Sequence, residues 1–261
     1  MRELDFARAL AREAGATIVA TARESLEVQT KEWADLVTTA DRAAERLIRE
    51  RLTAAYPADA LYGEEEGHAA TDGANRTWII DPLDGTANFA GGMNIYAVCI
   101  TLVEAGLVRL NVTYDPLRDE MFDARAGGGA HLNGSPMKVA NDCAIENALI
   151  HLAFARDRRH WRQSVALATR ITEIAPHARN LGSSALAQAY VAAGRLHAHV
   201  RVNVGDFDIL GGNLLIVEAG GVATALDGEP YGDGMRGLLA AGPRIHAVLN
   251  GLGLAACREF E

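Results

Sequence analysis

The sequence predicts layered sheets and helices, an α+β lobe joined to an α/β lobe. Three observations carry that prediction. Runs rich in β-branched and aromatic residues, separated by turn pairs, cluster in the first half. Strand-like and helix-like segments alternate in the second half. The chain has 261 residues, 49% hydrophobic and 23% charged, which is enough to bury a sizeable core and too apolar for wholesale disorder.

The elements follow in order. Phe6, Leu10, Ala14 and Ile18 recur at four-residue spacing, the stripe of an amphipathic helix. A second helix is predicted from about Thr39 to Ala55, with Ala40, Ala44, Leu47, Ile48 and Leu52 on one face and Tyr56-Pro57 as its stop. Thr77 to Asp81 is a short apolar run ending in an acid, a buried strand that opens into a site. Ile95 to Glu104, Leu107 to Tyr114 and Glu120 to Ala124 form an antiparallel meander, turned at Ala105-Gly106 and Asp115-Pro116. Gly127-Gly128-Gly129 reads as a hairpin turn, since no helix start follows it. Strands at Ala148–Leu152, Leu196–Val202 and Leu238–Ala241 alternate with helices at Asp157–Ile174, Ser184–Ala193, Asp208–Ala219 and Pro243–Leu249. Gly220-Gly221 closes the third of these helices. No Pro/Gly/Ser-rich linker divides the chain. A single domain over 1–261 is expected, with an N-terminal lobe over 1–142 and a C-terminal lobe over 143–261.

Charge narrows the partners. With 25 basic and 34 acidic side chains the net charge is −9, which repels nucleic acid polymers and anionic membranes. No apolar run approaches the ~20 residues that span a bilayer. The opening MRELDFARALAREAG carries acids where a signal peptide needs a basic start, so a cytoplasmic location is expected. Three distant cysteines, Cys99, Cys143 and Cys257, outline neither a disulfide framework nor a zinc site.

The chemistry concentrates in Asp81-Pro82-Leu83-Asp84-Gly85-Thr86. Two carboxylates three residues apart follow a buried strand, Pro82 stiffens the turn, and Gly85 allows close approach of a ligand. Buried acids so placed take up protons unless a cation neutralises them, and a hard, oxygen-seeking Mg²⁺ suits them and the Leu83 carbonyl. Taken alone the segment reads more often as an ordinary Asp-Gly turn than as a site. Three further features add to it: Gly63-Glu64-Glu65-Glu66-Gly67, 17 residues ahead of Asp81 counted from Glu64; Asp41 at a helix start; and Gly205-Asp206-Phe207-Asp208 at another. Each also has a routine reading as a helix cap or a solvated acidic run.

Taken together, DLVTTAD (35–41), GEEEG (63–67), WIIDPLDGTANF (78–89) and DFDILGGNLLIVEAGG (206–221) resemble the successive signatures of the inositol monophosphatase family. The resemblance covers roughly residues 30 to 245. It implies an αβαβα sandwich of the inositol monophosphatase/fructose-1,6-bisphosphatase type, a homodimer, and Mg²⁺-dependent, lithium-sensitive hydrolysis of a small phosphate monoester. Metal ligands carry over onto Glu64, Asp81, the Leu83 carbonyl, Asp84 and Asp208, most of them in the first lobe. Asp208 rather than Asp206 is the match, because it precedes Glu218 by ten residues. The set implies two Mg²⁺ ions, with an optional third and with Mn²⁺ as a substitute.

Two cations roughly 4 Å apart activate water and stabilise the leaving oxygen. The attacking water is placed on the Glu64 side. Thr86 orients it, and Asp41 accepts a hydrogen bond from the Thr86 hydroxyl. Backbone N–H groups of Gly85 and Thr86 hold phosphate oxygens. No covalent phosphoenzyme is expected. A haloacid-dehalogenase-type phosphatase would use Asp-x-Asp-Gly-Thr with a nucleophilic Asp, and the extra residue between Asp81 and Asp84 argues against it. A non-enzymatic rival is a binding or regulatory protein with a dead site, but every matched ligand is intact.

Specificity is expected from the second lobe. Gly182, Ser183 and Ser184 match a family segment that contacts the substrate, and read as a capped helix entry otherwise. Arg201 departs from the family, whose inositol-specific members have Glu there. A guanidinium favours a carboxylate or a phosphate, so a second anionic group or an altered hydroxyl pattern is expected. Fructose 1,6-bisphosphate, histidinol phosphate and a nucleotide 3′-phosphate stay open. Alternatively Arg201 faces solvent or pairs with Asp206. Phe207 stands where the family has Trp, and the roles of Lys31 and Trp33 are open. His197 and His199 alternate on one strand face without a third ligand, which favours packing.

Overall fold

The computed structural model describes residues 2–22, 27–32, 35–69, 74–155, 157–202, 206–230 and 237–259. Trp33 lies outside them, as do the side chains of Lys31, Asp206, Phe207 and Asp208. The four-residue apolar spacing at the N-terminus produces α1 (Arg2–Thr21), which buries Leu10, Ala14 and Ile18. After the hairpin β1 (Val28–Glu32) and β2 (Asp35–Thr38) comes α2 (Thr39–Ala55), which has the predicted bounds. Its start is a reciprocal capping box between Thr38 and Asp41.

Eight strands form the larger sheet: β3 (Ala60–Gly63), β4 (Gly67–Ala69), β5 (Arg76–Asp84), β6 (Ala97–Glu104), β7 (Leu107–Asp115), β8 (Glu120–Arg125), β9 (Gly129–Leu132) and β10 (Ser135–Pro136). The short helix α3 (Thr86–Ala90) links β5 to β6. Their order is β10-β9-β8-β7-β6-β5-β3-β4, antiparallel except for β3 beside β5. The predicted meander is β6, β7 and β8. Gly127–Gly129 forms the turn into β9, as its composition suggests.

The second half supplies β11 (Ile150–Ala153), α4 (Arg158–Thr172), β12 (Ala178–Arg179), α5 (Ser184–Ala192), β13 (Ala198–Arg201), α6 (Asp206–Glu218), β14 (Val222–Thr224), β15 (Leu238–Ala241) and α7 (Pro243–Asn250). The five-stranded sheet runs β12-β11-β13-β15-β14.

Three cores separate the layers. Residues of α1 and α2 pack on Trp78, Ile80, Val98, Ile100 and Val112 of the larger sheet. Its opposite face, with Ala97, Phe122 and Ala124, packs on α5 and α6. Ile150, Val200 and Leu239 on the far face of the smaller sheet meet Leu167, Ile171 and Ile245 of α4 and α7. The result is the expected αβαβα sandwich. Sequence texture explains the order of the helices. The outer helices carry one apolar stripe, whereas SALAQAYVA and ILGGNLLIVE have no continuous polar face and are sandwiched. Close approach in the middle layer uses Gly211 and Gly212. A Cβ there would stand 2.0 Å from Asn111 Oδ1 and 2.3 Å from Gln188 Oε1. Among the described residues no helix is long and apolar enough to cross a membrane.

Candidate active site

A strand bulge assembles the acidic turn. Asp81 pairs with Cys99 and Asp84 with Ala97, so Pro82 and Leu83 together oppose the single residue Val98. Without the bulge, residues three apart would face opposite sides of the sheet. With it, both acids share the face of Cys99 and Ala97, toward α5 and α6, while Leu83 packs into the core under α1 and α2. Pro82, which has no N–H to give a ladder, sits in the bulge where none is required.

Burial is nearly complete at this turn, with Asp81 2% and Asp84 3% exposed. Asp81 Oδ1 accepts from the Leu83 N–H at 3.1 Å. Asp84 is held by the start of α5: Oδ2 accepts from the Ser183 hydroxyl and, at 2.8 Å, from the Ala185 N–H. Oδ1 accepts from the Ser184 N–H at 3.3 Å. Ser183 is also the α5 N-cap. The reading of the 182–184 segment as a capped helix entry therefore holds, and the cap that starts the helix also orients Asp84.

Thr86 and Asp41 meet as expected. The Thr86 hydroxyl lies 3.0 Å from Asp41 Oδ1 and 3.0 Å from the Leu83 carbonyl. It has one proton to share between them, and its lone pairs stay available to a water. Asp41 Oδ2 accepts from the Thr38 N–H at 2.8 Å and from the Thr38 hydroxyl. Burial raises the Asp41 carboxyl above its usual range, and the bonds from Thr38 and Thr86 work against that rise. Gly85 adopts φ 99, and a Cβ would stand 2.8 Å from the Ile95 carbonyl, so glycine is required there.

Glu64 begins the turn after β3, and its N–H donates to the Ile80 carbonyl at 3.2 Å, beside Asp81. The device holding this turn went unread in the sequence. Glu45 of α2 is fully buried and accepts from the Glu65 and Glu66 N–H groups at 2.8 and 3.0 Å. Arg49 donates to Glu45 at 2.8 Å and to the Gly67 carbonyl. A Cβ on Gly63 would stand 2.0 Å from Glu45 Oε1. The visible signal was a Glu–Arg pair one helical turn apart, a pattern that usually marks a solvated face.

The donors suit a hard divalent cation, being oxygens throughout: Asp81, Asp84, Glu64 and the Leu83 carbonyl, which keeps one lone pair beyond the Thr86 bond. Among the described residues no group of three or more His, Cys, Asp or Glu side chains gathers closely enough to hold a metal. Asp208 lies in the first turn of α6, its side chain outside the described set.

Next to Asp84 lies a cavity of about 220 Å³. Ala87, Gly182, Ser183 and Ser184 are among its lining, as is Arg201 of β13, whose Nη1 donates to the Ser184 hydroxyl at 3.1 Å. Behind Arg201, His151 and His199 sit in register on parallel strands, stacked at 4.8 Å with Nδ1 atoms 2.7 Å apart. Burial, with Arg201 adding to it, pushes the His151 imidazole down to about 3, and burial holds His199 well below its usual value. His197 instead accepts from the Leu149 N–H through Nδ1 at 3.0 Å, a bond to the backbone just ahead of β11.

Comparison with known proteins shows relatives that share the sequence and the fold of this chain. The family model described as the inositol monophosphatase family matches residues 1–258. The inositol-1-monophosphatase of Bacillus subtilis is 34% identical over 94% of this chain and 94% of its own length. A Pasteurella multocida protein called Nus factor SuhB is 33% identical over 99% of this chain and 98% of its own. Among solved structures, the extragenic suppressor protein suhB of Bartonella henselae superposes with a TM-score of 0.93 at 29% identity, covering 97% of this chain and 98% of that one. The inositol monophosphatase of Anabaena gives 0.85 at 31% identity, over 96% and 94%. The chain belongs to the inositol monophosphatase family.

Proposed function

We propose that this protein is a Mg²⁺-dependent phosphatase that hydrolyses a small phosphate monoester by direct attack of water. The observation carrying this reading is the buried Thr86–Asp41 hydrogen bond beside the re-phased Asp81–Asp84 turn. Glu64, Asp81, Asp84, the Leu83 carbonyl and Asp208 would hold the metal. Bound Mg²⁺ would offset the phosphate charge and make water more acidic.

The remaining steps belong to the protein's own residues. Asp41 accepts a hydrogen bond from the Thr86 hydroxyl and so turns the hydroxyl's lone pairs toward the attacking water, aligning it with phosphorus. The N–H groups of Gly85 and Thr86 hold phosphate oxygens. The α5 start keeps Asp84 in one orientation. The leaving group occupies the cavity lined by Ser183, Ser184 and Arg201. Inositol phosphate-like, sugar and polyol phosphates form the starting class, with fructose 1,6-bisphosphate, histidinol phosphate and nucleotide 3′-phosphates beside them. Lithium inhibition, a homodimer and a cytoplasmic location belong to the same reading.

The name of the Pasteurella relative, a Nus factor, favours a second reading in which the fold serves binding alone. Phosphate release across these esters, with and without Mg²⁺, separates the two. Mg²⁺-dependent release supports the enzyme, and its absence for every ester supports the binding protein.

A further inference from the structure

The cavity beside Asp84 is lined by the flat rings of Phe154 and Trp161, by the polar Asn180, Ser183 and Ser184, and by the cationic Arg201. Phe154 and Trp161 stand together, ring centroids 5.2 Å apart and planes tilted by 36°. Both line the cavity, and Trp161 is 43% exposed at its mouth. His151 adds a third flat ring, held neutral by its burial. Opposite polarity comes from Arg201, the one charged side chain among the described residues lining the cavity, fixed through Ser184.

A cyclic polyol carries hydroxyls around its whole edge. Each one buried against these rings would lose its hydrogen bonds to water without gaining a partner. A planar unsaturated ring meets the aromatic walls with no such loss, and an anionic substituent meets the guanidinium. We infer that the substrate is a phosphate monoester whose leaving group is a planar unsaturated ring bearing a carboxylate or comparable anionic group, the ring against Phe154 and Trp161 and the anion on Arg201. This rests on the phosphatase reading above.

The test holds leaving-group chemistry nearly constant. It compares kcat/KM for 4-carboxybenzyl phosphate, benzyl phosphate, cyclohexylmethyl phosphate and inositol 1-phosphate at saturating Mg²⁺. Carboxybenzyl phosphate is expected to exceed benzyl phosphate by roughly tenfold, and benzyl to exceed cyclohexylmethyl by several-fold. Arg201→Gln should collapse the first ratio and Trp161→Ala the second, each toward one. Faster turnover of inositol 1-phosphate than of carboxybenzyl phosphate, or ratios that neither substitution moves, would overturn the inference while leaving the phosphatase reading intact. Mg²⁺-dependent release from none of the four would overturn both.

Discussion

The Thr86 hydroxyl lies 3.0 Å from a carboxylate oxygen of Asp41, 45 positions earlier in the chain. Asp41 is the third residue of α2, and its other oxygen closes the capping box with Thr38. One carboxylate thus starts a helix and aims a hydroxyl into the site.

That sharing predicts how Asp41→Asn behaves. The amide keeps the size of the side chain, but its NH₂ replaces one of two acceptors that serve Thr38 and Thr86. Turnover should fall by about 10²-fold or more, while stability falls by only about 1 kcal/mol, the scale of a lost cap interaction. Steady-state kinetics and a urea melt on the same preparation check both. An inactive protein that has also lost most of its stability would mean that Asp41 is chiefly a fold residue.

Gly63→Ala tests the support under Glu64. Its Cβ would meet Glu45 Oε1 at 2.0 Å, forcing Glu45 off the Glu65 and Glu66 N–H groups. The Glu64 turn then loosens, and the Mg²⁺ concentration for half-maximal activity should rise about tenfold. Removing the metal with chelator should abolish activity in both proteins, with recovery on readdition needing more Mg²⁺ in the variant. An unchanged Mg²⁺ titration would detach Glu45 from the site.

Much of this arrangement is legible in the sequence, because it rests on local chemistry. The acid Asp41 at a helix start, the stop at Tyr56-Pro57 and the apolar run into Asp81 each fix an element through near neighbours; α2 has its expected bounds, and β5 covers the expected run but continues past Asp81 to Asp84. The start of α6 is two residues earlier than Asp208, since Asp206 reads as turn or helix with equal ease. The short strands β3, β4 and β9 went unseen because their neighbours in the sheet, not their composition, make them strands. The bulge is of the same kind, as it depends on how β6 pairs with β5. The Glu65 N–H that Glu45 holds and the His151 ring beside His199 lie 20 and 48 residues away. No local period encodes such pairs.

The imidazole pair makes stability depend on pH. His151 and His199 are both buried with lowered folded-state values, His151 at about 3. The unfolded chain takes up protons first, near the ordinary value of 6.5. Stability from the pair is therefore complete above that pH and is lost as pH falls toward 3, by up to about 1.4 kcal/mol per pH unit for each imidazole. Urea melts between about pH 7.5 and 5 should show this slope, and the double substitution His151→Leu/His199→Leu should flatten it. Equal slopes in the two proteins would show that other groups carry the acid sensitivity.

Asp84→Asn separates the two tasks of the acid that α5 holds. The carboxylate receives the Ser183 hydroxyl and the Ser184 and Ala185 N–H groups, all donors aimed at one negative group on a helix start. An amide keeps one acceptor oxygen and turns its NH₂ toward those donors, so some of them lose their partner inside a buried layer. The fold should survive, because the β5 bulge and the α5 cap on Ser183 stay in place, but with about 1–3 kcal/mol less stability. Turnover should vanish at any Mg²⁺ concentration, since the second carboxylate on this face is gone. Ser183→Ala provides the contrast. It keeps the carboxylate and removes one of its donors, so activity should fall by roughly tenfold and remain measurable. Wild-type rates in Asp84→Asn at saturating Mg²⁺ would show that the residue serves only to dock α5.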